Sequence, residues 1–305
     1  MPVAGFRLSA AGTSAPREPW GVTMTNKTAR RRALKGAFVA TAIATAIATT
    51  AGTAMATTTA EQPLFEMYGI KKSNQEMFVW TPTGTGGFEP ALSFAEGAGS
   101  IADVIVADND GDGFGESEWT LYKNGRLDFW NMDGVETSSA GTGWNIYKTV
   151  LSPGNVGGAK EADLIGVDAY GVLYSYLSYP NGKLTPRVRV GGGWNAYDQI
   201  AGQGDLTGDG KPDIVAKEKA TGILYLYKGT GDYKAPFTGR TKIGSGWNAY
   251  DRLISVGDMN LDGKADLLAR KPAGQLMRYY GTGIAATPFK APTQIGTGYQ
   301  AYNLL

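Results

Sequence analysis

The 305-residue chain contains no cysteine and no histidine. Their absence excludes a disulfide framework, a thiol nucleophile, a Ser-His-Asp triad and an ordinary zinc site. The strong metal ligands left are oxygens, which suit calcium or magnesium. Neither sign of charge is in excess: 29 basic against 28 acidic residues give a formal net charge of +1. That balance offers no basic footprint for nucleic acid. Sustained helical periodicity is missing from residues 57–305. Glycine is abundant, with 44 copies beside 16 Tyr and 7 Trp. This is the composition of many short strands joined by tight turns.

The N-terminal region reads as an export signal. Arg30-Arg31-Arg32-Ala33-Leu34-Lys35 is basic, residues 37–53 form a mild Ala/Thr/Ile run, and Ala54-Met55-Ala56 is an A-x-A cleavage site. The run is short, rich in Thr and weakly apolar, which argues against a membrane anchor. The paired arginines before Leu34-Lys35 resemble a twin-arginine signal, but Ala33 departs from it, so Tat and Sec export both stay open. Residues 1–23 carry no signal feature; Met24 is an alternative start, with 1–23 then a start-site artefact. Cleavage after Ala56 leaves 22 basic against 27 acidic residues, a net of −5, in a secreted chain of 249 residues. The expected organisation is a signal peptide at 1–56 and one domain at 57–305. The mature chain is expected to be a monomer with no membrane span.

A four-residue corner recurs along that domain. Gly-Thr-Gly-Trp144-Asn145-Ile-Tyr147 returns as Gly-Gly-Gly-Trp194-Asn195-Ala-Tyr197, then Gly-Ser-Gly-Trp247-Asn248-Ala-Tyr250, and finally Gly-Thr-Gly-Tyr299-Gln-Ala-Tyr302. The spacings are 50, 53 and 52 residues. Alternating runs such as Ile223-Leu-Tyr-Leu-Tyr-Lys228 lie between the corners, and period-2 alternation with Gly-rich turns marks strands. Each unit therefore reads as four short strands, the signature of a propeller blade. The final unit stops after one strand, and the domain opens on what match strands two to four. The expected fold is all-β, a five-bladed β-propeller of four-stranded blades. Its blades are expected near 63–96 plus 299–305, 101–141, 146–191, 196–244 and 249–296, with the C-terminal strand closing the ring on the N-terminal blade.

Eleven residues after each Trp a second motif begins. Asp205, Thr207, Asp209 and Asp213 place oxygens at loop positions 1, 3, 5 and 9; Asp258, Asn260, Asp262 and Asp266 do the same. An earlier copy, Asp108, Asp110, Asp112 and Glu116, is the most acidic. Alternate side chains of a tightly wound loop converge on one centre, and the glycine after position 5 permits the sharp turn. The start matches an EF-hand loop, but the last ligand comes at nine rather than twelve. Converging carboxylates repel one another without a cation. The copy from Asn155 to Asp163 lacks ligands at positions 3 and 5 and carries Lys160, so no metal is expected there. The expected content is about three calcium ions, each pinning a strand connection.

These loops between strands resemble the FG-GAP/VCBS repeats whose integrin-like propellers carry calcium. The resemblance covers nearly all of residues 62–305. Integrin-type propellers have seven blades, and this period allows only five. A weaker likeness, on short Gly-Gly-Trp matches, is to tachylectin-type five-bladed lectins.

The tryptophan corners admit two roles. Trp144, Trp194 and Trp247 either wedge between blades or, with Asn145, Asn195 and Asn248, form clefts where an indole stacks on a sugar and the amide fixes hydroxyls. The expected function is a secreted calcium-binding propeller acting as a binding or adhesion module, with an extracellular glycan or cell-surface ligand as partner and no nucleic acid. The alternatives are a calcium-stabilised polysaccharide hydrolase or lyase, for which no unrepeated carboxylate pair stands out although Glu66, Glu76, Glu116, Glu118 and Asp128 lie outside the regular pattern, and a protein-binding scaffold.

Overall fold

The computed structural model describes residues 64–131 and 136–305. The export signal and its cleavage site lie outside the described residues. Among the described residues, twenty strands form five antiparallel four-stranded sheets. Strands β1 (Met67–Lys71), β2 (Met77–Trp80) and β3 (Leu92–Ala95) build the first blade together with the last strand, β20 (Tyr302–Leu304), in the order β20-β1-β2-β3. The other blades are β4 (Ile101–Ala107) to β7 (Glu136–Gly141), β8 (Tyr147–Gly154) to β11 (Val188–Gly191), β12 (Tyr197–Ala201) to β15 (Thr241–Gly244), and β16 (Arg252–Ser255) to β19 (Thr293–Gly296). The five-bladed ring is closed as the complementary ends of the repeat pattern require. Tyr302 pairs with Lys71 and Leu304 with Gly69.

Apolar clusters sit between neighbouring blades. One joins Trp119, Leu127 and Phe129 to Trp144, Val150 and Leu164. Another joins Met67 and Trp80 of the first blade to Ile254 and Leu268 of the last, with Leu304 among them. Alternation explains this placement, because each sheet buries both faces against its neighbours. Leu64 ties three parts together: its N–H donates to Gly113 O (2.9 Å), its carbonyl accepts from Gly115 N (3.0 Å), and it bridges to Gly257.

Every inner strand is preceded by a three-residue 3-10 turn, such as Trp194–Ala196 and Trp247–Ala249. A left-handed glycine opens each one, for example Gly193 (φ 94°) and Gly246 (φ 81°). The sequence pattern does not reveal these turns, since three residues are too few to show a helical period.

Two buried cations anchor corners from below. Arg270 makes a two-pronged contact with Asp251 (3.0 and 3.1 Å) and donates to the carbonyls of Tyr299 (3.2 Å) and Tyr302 (2.8 Å). Lys217 takes this role one blade earlier, reaching Asp198 (3.1 Å) and Tyr250 O (3.2 Å). Arg270→Ala should cost about 3 kcal/mol by leaving Asp251 and two half-buried carbonyls at the closure without their partner. That corresponds to a melting temperature lower by roughly 6–12 °C. Arg270→Lys should recover part of it, and an unchanged melt for the alanine variant would remove the anchor from the account.

Candidate metal centres and the tryptophan corners

Each acidic loop leaves the end of an inner strand, and its own side chains wind it. In loop 205–213 the Asp205 carboxylate accepts from Thr207 N (2.9 Å), Gly208 N (2.7 Å) and Gly210 N (2.5 Å). Asp258 accepts from Asn260 N (3.2 Å), Asp262 N (3.1 Å) and Gly263 N (2.6 Å). Asp108 accepts from Gly111 N (2.7 Å) and Gly113 N (2.9 Å). The winding needs left-handed backbone at position 4 as well as position 6. Position 4 is Gly111 (φ 78°), Gly208 (φ 81°) or Leu261 (φ 57°). Leu261 is a branched side chain held in a conformation that costs energy outside glycine. Leu261→Gly should relieve that strain with little or no loss of thermal stability, although glycine enlarges the unfolded ensemble. A clear drop in the melting temperature would show that Leu261 is unstrained.

Position 9 has a structural role that the spacing conceals. Asp213 accepts from Leu206 N (3.0 Å) and from Gly229 N (2.8 Å) in a distant hairpin. Asp266 holds Met259 N (3.0 Å) and Gly281 N (2.7 Å) in the same way. Asp163 does so with Val156 N and Ser178 N, both at 3.0 Å, in the loop that lacks ligands at positions 3 and 5. Position 9 therefore clamps the loop to the sheet whether or not the loop is equipped for a metal.

The three acidic loops differ as sites. In loop 108–116 one oxygen from each of Asp108, Asp110, Asp112 and Glu116 lies within 4.8 Å of the others. Among the described residues this is the group of three or more acids close enough to share an ion. Burial pushes Glu116 up to about 7, with Asp108 and Asp110 adding to it against the N–H of Asn109. Burial pushes Asp108 up to about 6, assisted by Asp112 and Asp110. Glu116 Oε1 is held by Asn109 N (2.7 Å), while its buried Oε2 has no hydrogen-bond partner. In loop 258–266 the buried Asn260 Oδ1 is likewise without a donor. A buried acceptor left unmet is costly, and an ion meets that need. In the other two loops a lysine reaches position 5: Lys228 to Asp209 at 3.0 Å and Lys290 to Asp262 at 3.9 Å. These lysines arrive from a distant part of the blade, so the loop spacing gives no sign of them.

An all-oxygen set with unmet buried acceptors fits calcium. Asp108, Asp110, Asp112 and Glu116 would hold one ion, with Asp205, Thr207, Asp209 and Asp213, and Asp258, Asn260, Asp262 and Asp266, as the corresponding sets. The ion would supply charge neutralisation and a cross-link between strands. Loop 155–163 is instead closed by Asn155, which accepts from Gly157 N (2.9 Å) and donates to Ala159 O (2.6 Å).

The tryptophan corners lie at the other ends of the inner strands. Trp144, Trp194 and Trp247 are 6%, 8% and 8% exposed. Their rings rest on Tyr176, Tyr227 and Tyr279 at 4.7, 4.7 and 4.8 Å. Their backbone N–H groups donate to the carbonyl oxygens of Gly125, Gly171 and Gly222 of the preceding blade. Asn145, Asn195 and Asn248 are exposed and cover those same hairpin glycines; a Cβ on Gly222 would sit 2.7 Å from Asn248 Cγ. The structure thus joins each Trp-Asn pair to the blade before it, leaving little indole face open and the amides at the surface.

This is a five-bladed propeller with acidic loops repeated at the inner-strand ends. Residues 205–269 match the FG-GAP-like repeat family, a segment running from one acidic loop through the whole of the next, so the chain carries FG-GAP-like repeat sequence. No curated protein matches it. Among solved structures it is similar to regucalcin, a calcium-binding protein of Agrobacterium tumefaciens, at 10% identity and a TM-score of 0.41, covering 78% of this chain and 76% of that one. It is also similar to the Dos1 propeller (9% identity, TM-score 0.39, 78% and 60% covered). A protein of unknown function from Bacteroides caccae gives 11% identity, a TM-score of 0.36, and 76% and 73% covered. Among the described residues no helix is long and apolar enough to cross a membrane.

Proposed function

We propose that this protein is an exported, calcium-braced propeller that binds an extracellular glycan, with loop 108–116 as its foremost calcium site. The observation that carries the calcium reading is the four-acid group of that loop, with Glu116 Oε2 buried and unmet. Export rests on the basic, apolar and A-x-A order of residues 30–56. The glycan reading is supported by a ring that exposes an asparagine at three successive corners, Asn145, Asn195 and Asn248.

Calcium titration followed by thermal melting tests the first part. Saturating one site about a hundredfold above its Kd adds about 2.7 kcal/mol, or roughly 5–10 °C. Glu116→Gln should weaken the tightest site, and an identical titration in that variant would remove loop 108–116 as the site. A glycan array with measurement of reducing-sugar release tests the second part. Binding without turnover supports the module, turnover supports a polysaccharide-acting enzyme, and silence on the array overturns the glycan reading.

A further inference from the structure

A cavity of about 340 Å³ opens beside the acidic loops. Most of its wall comes from three consecutive blades: Asp108 and Gly111 from the first acidic loop, Asn155 and Lys160 from the loop without a full ligand set, and Asp205 and Lys211 from the next, with Phe65 from the segment before β1. We propose that this cavity is a binding site for a sugar-sized ligand bearing a carboxylate, a uronic acid, with Lys160 and Lys211 as its charge partners. The proposal goes beyond the glycan reading above, because the cavity lies beside the acidic loops, at the opposite ends of the inner strands from the Asn145, Asn195 and Asn248 corners.

The departure of loop 155–163 from its neighbours is what shapes the site. Where the flanking loops carry Asp or Thr at positions 3 and 5, this loop carries Gly157 and Ala159, and Lys160 follows. Small residues replace acids, and a cation is added. Lys160 and Lys211 are exposed. Neither has an ion-pair partner among the described residues, whereas Lys228 and Lys290 are both directed at loop acids. The acids in the wall do not oppose an anion directly. Asp108 is turned onto the N–H groups of Gly111 and Gly113, and Asp205 onto those of Thr207, Gly208 and Gly210.

The rest of the lining suits a sugar. Gln203 is 8% exposed and spends its Nε2 on Val106 O at 2.6 Å, which leaves its amide oxygen as the acceptor for a hydroxyl. Phe65, Pro153 and Pro212 provide apolar wall for a pyranose face. The volume lies at the small end of the range for ligand pockets, which matches a single ring better than an extended chain.

The test is isothermal titration of the calcium-loaded protein with galacturonate, glucuronate, glucose and a galacturonate oligomer. Lys160→Ala, Lys211→Ala and the double variant are run alongside, with melting curves as a fold control. The uronates should bind and glucose should not. Each single variant should weaken binding about tenfold with no change in melting temperature, and Lys160→Arg should restore most of it. A tighter fit for the oligomer would indicate a polymer terminus as the source; equal binding would indicate the free acid. No uronate binding by the wild type, or binding untouched in the double variant, overturns the proposal. Array hits on neutral glycans that survive the double variant overturn this site alone. Uronate binding with no array hits upholds the site and overturns the glycan reading.

Discussion

Deleting residues 302–305 is expected to abolish the cooperative thermal transition of the protein. Strand β20 contributes few residues, but it is the inner strand of the first blade, pairing with Gly69, Ile70 and Lys71 of β1. Without it, β1 presents an unpaired edge to the centre of the ring. Tyr302 packs against Trp80 at 5.0 Å and Phe78 at 5.5 Å, and Leu304 is 5% exposed between the first and last blades. Removing a buried Leu costs about 2–5 kcal/mol and a fully buried aromatic about 3–5 kcal/mol, of which the half-buried Tyr302 accounts for a part. Together these approach the whole stability of an ordinary domain, about 5–15 kcal/mol. Arg270 would also lose the Tyr302 carbonyl that it holds at 2.8 Å. Circular dichroism and calorimetry of the truncated chain would read the effect. A synthetic peptide of residues 297–305 should restore part of the transition by adding the strand in trans. A truncated chain that melts like the full one would mean that closure of the ring contributes little.

How far the sequence leads can be followed at single positions. The blades were legible because the Gly-x-Gly-Trp corner recurs at a near-constant period and the runs between corners alternate. The alternating run Ile223–Lys228 is observed as the strand Leu224–Tyr227. The first blade was legible from its partial repeat, which needs β20 to be complete. The candidate site was legible only as spacing. Position 9 spans a loop and a hairpin: Asp213 meets Gly229, sixteen residues later, so no local pattern shows that it clamps the sheet. Lys228 and Lys290 reach position 5 from a later part of the blade. Leu261 holds a left-handed position that its neighbours give to glycine. The Trp-Asn corner was recognisable as a motif, but the packing of its indole on Tyr176, Tyr227 or Tyr279, about thirty residues later, is a contact that no local pattern shows. The cavity beside Lys160 needs three blades side by side, which is a property of the ring.

Withdrawing calcium is expected to destabilise the protein more at pH 8 than at pH 5, and by a wide margin. Burial raises Glu116 and Asp266 to about 7 and Asp108 and Asp213 to about 6 in the metal-free fold. It raises Asp258 as well. In the unfolded chain the same groups titrate near 4. The fold therefore binds their protons more tightly than the unfolded chain does between these values. Their contribution to metal-free stability is full below about pH 4 and is lost as the pH climbs through 6 to 7. Above that range the loops hold several buried negative charges that only a cation relieves, so the calcium-induced rise in melting temperature should grow steeply from pH 5 to pH 8. At pH 5 protons already occupy these oxygens, and calcium must displace them to bind. Melting curves with excess chelator and with millimolar calcium, taken at half-unit pH steps, give the full surface. In Glu116→Gln the metal-free protein should lose part of its decline with rising pH, because one raised carboxyl is replaced by a neutral amide of similar shape. A calcium shift of equal size at pH 5 and pH 8 would mean that these carboxylates do not share their oxygens between protons and the ion.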